Sequence, residues 1–95
     1  MAVVFMIPGA LRELAGDRSE VRIEAAGGSL SHALQQLWAE CPGLRDRVLT
    51  ELGRVRPHVN IFVDGENSRF TGDLDTAVRA DSEIYIVPAV SGGAG

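Results

Sequence analysis

The sequence predicts an α+β domain, a mixed sheet of about five strands packed on one main helix. Three observations predict it. Strand-like runs stand at both ends of the chain, Ala2-Val3-Val4-Phe5-Met6-Ile7 and Glu83-Ile84-Tyr85-Ile86-Val87, rich in β-branched and aromatic residues and closed by prolines. Between them Leu30, Ala33, Leu34, Leu37 and Trp38 recur at helical spacing and make one apolar stripe. Asp64-Gly65 separates two further apolar runs, and both residues tolerate the positive φ of a tight hairpin turn. The 95 residues make one domain, large enough to bury a core without metal or disulfide staples.

Each element follows in order. Residues 2–7 are the first strand, ended by Pro8. Gly9 to Asp17 is a connection in which Leu11 and Leu14 tuck inward and Gly16-Asp17 turns. Ser19 to Ala25 is the second strand, because Glu20, Arg22 and Glu24 alternate with Val21, Ile23 and Ala25. The two form an antiparallel hairpin. Gly27-Gly28 breaks the pattern, and Ser29 caps the main helix, its hydroxyl accepting a first-turn N–H. Pro42-Gly43 stops that helix at about Cys41. A second short helix is expected over residues 44–52, with Leu44, Val48, Leu49 and Leu52 on its apolar side and Gly53 as its C-terminal cap.

His58 to Val63 is the third strand and Asn67 to Phe70 the fourth. Thr71-Gly72-Asp73 opens a loop with Leu74 and Ala77-Val78 as plugs beneath it. Asp81-Ser82 turns into the last strand, residues 83–88. The compact arrangement of this order lays the first and last strands side by side and parallel, with the helix across one face. That is a β-grasp, the ubiquitin-like roll. The domain spans residues 1–88. Residues 89–95 are expected to be a flexible tail. Pro88 has no N–H for a ladder, and nothing after Val90 carries enough apolar surface to offset the entropy of ordering it.

Alternation assigns the two faces of the sheet. Val3, Phe5, Ile7, Val59, Ile61, Val63, Ile84 and Ile86 form continuous sets with no polar member and should face the helix. The opposite sets hold Val4, Met6, Phe62, Tyr85 and Val87. One helix cannot cover both faces, so these five should make an apolar patch on the open face, beside the tail. Contiguous exposed apolar surface marks a contact site, and the five are read as a partner-binding face.

Composition narrows the chemistry. The net charge of −4 and the absence of any single-sign block argue against nucleic acid or anionic membrane as the partner. Cys41 is the only cysteine, so there is no internal disulfide or cysteine metal cluster, and a reducing cytoplasm fits. The N-terminal run has no basic leader, and no apolar stretch reaches membrane-spanning length. No nucleophile elbow, phosphate loop or metal motif is present. His32 and His58 read as solvated or capping residues, Cys41 as a half-buried structural thiol, and Arg45 and Arg47 as a solvated helix face. The chain is therefore read as a non-enzyme with no bound metal or cofactor.

What remains is Ser91-Gly92-Gly93-Ala94-Gly95. A carboxylate at a Gly-Gly end can be activated as an acyl-adenylate, and glycine has no Cβ to block threading into a narrow channel. On this reading the reactive group is the chain's own C-terminus.

The chain resembles the ubiquitin-like sulfur-carrier proteins, the group that contains the small subunit of molybdopterin synthase and the thiamin sulfur carrier, and above all the cysteine-synthesis carriers of actinobacteria. The resemblance rests on Ile7-Pro8 with Leu11-Arg12, Cys41-Pro42-Gly43-Leu44-Arg45-Asp46-Arg47, Val59-Asn60-Ile61-Phe62-Val63, Arg69-Phe70-Thr71-Gly72 with Leu74, and Ile86-Val87-Pro88-Ala89-Val90-Ser91-Gly92-Gly93. It implies that an E1-like enzyme adenylates the terminal glycine with ATP, and that a persulfide sulfur displaces AMP to leave a thiocarboxylate. It also implies a sulfur-accepting synthase of the pyridoxal-phosphate type and a zinc metalloprotease as later partners. On this resemblance Gly93 would be the sulfur-carrying residue, with Gly92 and Ser91 threading the channel. Ala94-Gly95 depart from the family pattern and are expected to be cleaved off by a metalloprotease, the alternative being that Gly95 is used directly. The alternatives are a molybdopterin synthase small subunit, a ubiquitin-like protein modifier, and an interaction module whose glycine-rich end is merely frayed. With nine Arg and no Lys, the chain cannot build side-chain-linked polymers of itself.

Overall fold

The computed structural model describes residues 1–24 and 28–88. The expected tail, 89–95, lies outside the described residues, as do Ala25 and Gly27.

Strand β1 is Ala2–Met6 and β2 is Glu20–Glu24. They pair antiparallel, Ala2 opposite Glu24 through Met6 opposite Glu20. Their link is ordered further than the sequence suggests, because Gly9–Ala15 winds as a 3-10 helix. Leu11 is buried and Leu14 packs against the core, while Gly16 and Asp17 turn at φ of 67° and 63°.

Helix α1 is Leu30–Glu40. Ser29 caps it, its Oγ accepting the backbone N–H of His32 at 3.1 Å. Leu30, Ala33, Leu34 and Leu37 are buried, and Trp38 is half-buried against them. Cys41 ends the helix before Pro42.

The expected second helix is much shorter than residues 44–52. Pro42–Leu44 is a 3-10 turn and α2 is only Arg45–Val48. Leu49 is already extended and bridges Val55. The reason is local. Thr50 Oγ1 accepts the N–H of Leu52 at 3.2 Å and of Arg54 at 3.3 Å, and such side-chain bonds draw a threonine out of a helix into a turn. Leu52 is therefore not on an apolar side; it is 85% exposed. Gly53 serves the turn, its N–H bonded to the Thr50 carbonyl, rather than a helix end.

Strand β4 is Val59–Val63, and Asp64 and Gly65 turn at φ of 50° and 89° into β5, Glu66–Asn67. The fourth strand was expected to reach Phe70. It stops early because Asn67 Oδ1 accepts the N–H of Arg69 at 3.0 Å and starts a 3-10 turn over Ser68–Phe70. A second 3-10 turn, Asp73–Asp75, follows Gly72 at φ 120°. Two short strands were not foreseen: β3, Gly28–Ser29, pairs antiparallel with β6, Ala77–Val78. Of the expected plugs, Val78 is buried, Leu74 is half-buried and Ala77 is exposed.

The last strand, β7, is Glu83–Pro88. It pairs parallel with β1 and antiparallel with β4, and the sheet order is β2-β1-β7-β4-β5. This is the predicted β-grasp, with the first and last strands parallel at its centre. Val3, Phe5, Ile7, Val59, Ile61, Val63, Ile84 and Ile86 are buried with the α1 stripe in one core cluster. Their burial follows from period-two alternation against a single helix.

Candidate functional site

The register of β7 sets the geometry of the open face. Tyr85 stands opposite Met6 on one side and Phe62 on the other, so the three make one row across the centre of the sheet. Val87 stands opposite Asn60, and Val4 opposite Glu83. Tyr85 is 42% exposed and Val87 43%, while Val4, Met6 and Phe62 are half-buried. The five residues named from alternation are thus neighbours on the face away from α1. Polar residues bound the row, Glu20 opposite Met6 and Asn67 opposite Phe62. An apolar face with a polar rim has the anatomy of a docking patch.

A groove of about 460 Å³ continues that face to the end of β7. Met6, Ile7, Pro8 and Gly9 form one wall and Tyr85, Val87 and Pro88 the other. It opens because the β1–β7 register runs only from Val4 opposite Glu83 to Met6 opposite Tyr85. Beyond it the chain after β1 turns away at Pro8, where Arg12 Nε donates to the Ile7 carbonyl at 3.1 Å.

On its other side the end of β7 is held. Val59 of β4 pairs with Pro88. Arg69 secures the start of β4: its Nη2 donates to the carbonyls of Arg56, Pro57 and Val59 at 3.0, 3.0 and 2.6 Å. Its Nε donates to Asn60 Oδ1 at 3.1 Å, which also accepts from Asn67 Nδ2 at 3.1 Å. Sequence reading took Arg69 only as part of an Arg-Phe-Thr-Gly match. The usable signal was an Asn in the facing strand, a side chain able to meet the guanidinium.

The start of β7 carries a second network that sequence reading missed. Ser82 is fully buried. Its Oγ donates to Asp64 Oδ2 at 2.6 Å and accepts the N–H of Arg79 at 2.9 Å. Asp64 Oδ1 accepts the N–H of Glu83 at 3.0 Å, and Arg79 lies 3.5 Å from Oδ2. Partial burial pushes the Asp64 carboxyl up, but the bonds from Ser82 and Glu83 and the charge of Arg79 outweigh it and hold the group below its ordinary 3.8.

Other candidate groups stay apart. His32 and His58 are exposed on separate elements. Cys41 is fully buried rather than half-buried, and Arg18 Nη2 donates to its Sγ at 3.3 Å. Among the described residues no three His, Cys, Asp or Glu side chains gather as a metal site, and no helix is long and apolar enough to cross a membrane. Ser91, Gly92, Gly93, Ala94 and Gly95 lie outside the described residues.

The parallel pairing of the terminal strands, the single packing helix and the open apolar face define a ubiquitin-like β-grasp protein. The chain belongs to the ThiS family of ubiquitin-like sulfur carriers, whose family profile matches residues 5–93. It is 35% identical over 95 aligned residues to the sulfur carrier protein CysO of Mycobacterium tuberculosis, covering 98% of this chain and 100% of that protein. The crystal structure of that CysO superposes with a TM-score of 0.83 at 33% identity, covering 93% of this chain and 99% of the other. A chain of the Amycolatopsis orientalis BexX/CysO complex gives a TM-score of 0.85 at 29% identity, covering 94% and 97%. The small archaeal modifier protein 1 of Haloferax volcanii is 34% identical over 84 residues, covering 87% of this chain and 91% of that protein.

Proposed function

We propose that this protein is a sulfur carrier whose Gly93 becomes a C-terminal thiocarboxylate. An E1-like enzyme uses ATP to convert the Gly93 carboxylate to an acyl-adenylate, releasing pyrophosphate. The terminal sulfur of a persulfide attacks the carbonyl carbon, the bond to AMP breaks, and cleavage of the S–S bond by a thiol leaves the thiocarboxylate. The sulfur then passes to a synthase that builds cysteine or another thio-metabolite. The protein is a co-substrate of these enzymes in a reducing cytoplasm and needs no cofactor of its own; ATP belongs to the activating enzyme.

The observation that carries this reading is that the family match ends on Gly93, the second glycine of the pair. Gly93 lies five residues past Pro88, and a fully extended stretch of five residues reaches up to roughly 17 Å. That length suits delivery of a carbonyl into a channel while the open face of Val4, Met6, Phe62, Tyr85 and Val87 rests on the enzyme. Gly92 and Ser91 fill the narrow part of the channel. A metalloprotease removes Ala94-Gly95 first, since these follow the activated residue.

Mass spectrometry tests the proposal. The chain ending at Gly93, incubated with ATP, an E1-like enzyme and a sulfur source, should gain about 16 daltons as oxygen is replaced by sulfur. Deleting Gly92 and Gly93 should abolish the gain. Sulfur found on Gly95 of an uncleaved chain would overturn the processing step. The likeness to a small archaeal modifier protein favours a second reading, conjugation to other proteins through the same glycine. Covalent adducts on a blot of host extract, absent after Gly93 deletion, would establish it.

A further inference from the structure

We propose that a recess lined by Arg47, Arg56 and His58, cationic through its two arginines, docks an acidic segment of the enzyme that receives the C-terminal glycines. This rests on the carrier reading above. The recess has a volume of about 360 Å³ and is lined by Asp46, Arg47, Arg56 and His58. Arg47 and His58 are exposed. Arg56 Nε donates to the Asp46 carbonyl at 2.8 Å, which pins its guanidinium to the wall. Among the described residues neither Arg47 nor Arg56 is paired with a carboxylate. The one carboxylate of the lining, Asp46, is engaged by Arg45 at 3.2 Å. Arg54 stands two residues before Arg56 in a stretch that bridges through Val55, so alternation puts it on the same side as Arg56.

The placement matters more than the cluster alone. The net charge of −4 is unevenly distributed. Residues 45–58 hold four Arg against Asp46 and Glu51, and Arg69 joins them by bonding the Arg56 and Pro57 carbonyls, while the turns at the other end of β4 hold Asp64, Glu66, Asp81 and Glu83 against Arg79. Strand β4 connects the two regions, with His58 before its first residue and Asp64 after its last. Strand β7 runs antiparallel to it, Ile84 opposite Val63 at the acidic end and Pro88 opposite Val59 at the cationic end. The charge separation therefore lies along the strand that leads to the glycines, with its positive pole where that strand leaves the sheet. An acidic partner surface attracts this end and repels the other, which orients the encounter. With a screening length of about 8 Å at physiological salt, the attraction acts at close range.

Guanidinium groups pair with carboxylate and phosphate alike, and the carrier reading selects side-chain carboxylates because the occupant is then an enzyme. The guanidinium groups come from α2 and from the stretch before β4, around an open recess, and planar guanidinium pairs well with separate carboxylates.

The test uses the full chain, isotopically labelled, titrated at low salt with an oligoglutamate peptide, with inorganic phosphate and with an oligolysine peptide. The glutamate peptide should shift the amides of Arg47 and of residues 54–58, and Arg47→Glu or added salt should remove the shift. No shift at these residues, or an equal shift with phosphate at matched charge, would overturn the proposal. A second arm measures sulfur loading by the E1-like enzyme. Loading of the wild-type chain with KM raised roughly fivefold in Arg47→Glu at unchanged kcat supports the docking role. Wild-type loading with an unchanged KM in the variant rejects it. Failure of the wild-type chain to load at all counts against the carrier reading instead, and the peptide titration then decides the recess by itself.

Discussion

The two ends of β7 are built differently although they belong to one strand. At its start, β7 is tied on both sides. The backbone N–H of Val4 donates to the Ser82 carbonyl at 3.0 Å, and that of Asp64 to the Glu83 carbonyl at 2.9 Å. The Ser82–Asp64–Arg79 network closes around these bonds. At its end, β7 is held by β4 alone, because the pairing with β1 stops at Tyr85. The freed flank becomes the apolar groove beside Pro88. A strand fixed at one end and half-released at the other fits the proposed carrier, a rigid domain that offers the chain beyond Pro88 to enzymes. Local stability of this kind varies along a single element with the density of its contacts.

Truncation in the core gives the largest test of that difference. Both Ile84 and Ile86 are buried, but Ile84 has a strand partner on each side, Phe5 and Val63, whereas Ile86 is paired only with Ile61 and lines the groove. Ile84→Ala should cost about 4 kcal/mol, and Ile86→Ala about 2 kcal/mol because the groove side can partly collapse. Chemical denaturation of the two variants checks this. Equal losses would mean that the end of β7 is packed as firmly as its start.

Ser82→Ala comes next. It removes a buried donor to Asp64 and a buried acceptor for the Arg79 N–H, and should cost about 2 kcal/mol. Hydrogen exchange should quicken at Glu83 and Asp64 and stay unchanged at Val87. A uniform change along β7 would show that the two ends are coupled.

The same contrast explains what was legible in the sequence. Strands β1, β4 and β7 and the stripe of α1 could be read because alternation and helical spacing report burial directly, and Ser29 announced its cap. The open face followed from the same parity. The segments 45–58 and 66–78 were misread for a different reason. Their course is decided by Thr50 Oγ1 and Asn67 Oδ1 bonding to nearby backbone, which overrides an apolar pattern. The β3–β6 pairing joins Gly28 to Val78, and no local pattern carries a contact so distant in sequence. Arg69 and Ser82 were overlooked because their role lies entirely in partners brought to them by the fold.

Titration of Asp64 should produce a smaller effect at the start of β7. Its carboxyl is held below 3.8 in the folded chain, against partial burial, by Ser82, Glu83 and Arg79. A depressed folded value means that the carboxylate stabilises the fold above the ordinary value and that this contribution is lost as pH falls through the lowered one. Wild type should therefore exceed Asp64→Asn in stability near neutral pH, and the gap should close in acid. A gap that persists unchanged in acid would assign the effect to packing instead.

Val87→Glu, at the released end, should change stability least. Val87 is 43% exposed on the open face and faces Asn60, so a charged side chain there reaches water and the change should stay within about 0.5 kcal/mol. Sulfur loading is where it should matter, because on the proposed function a carboxylate on this apolar face would have to be desolvated when the enzyme binds. KM for loading should rise roughly tenfold or more while the melting temperature holds. Pairing this variant with Ser82→Ala separates the two ends of the strand. Ser82→Ala should lower the melting temperature and leave the loading KM near wild type, and Val87→Glu should do the reverse. If both variants shift both quantities together, the exit of β7 is not an independent docking surface but an extension of the same rigid base.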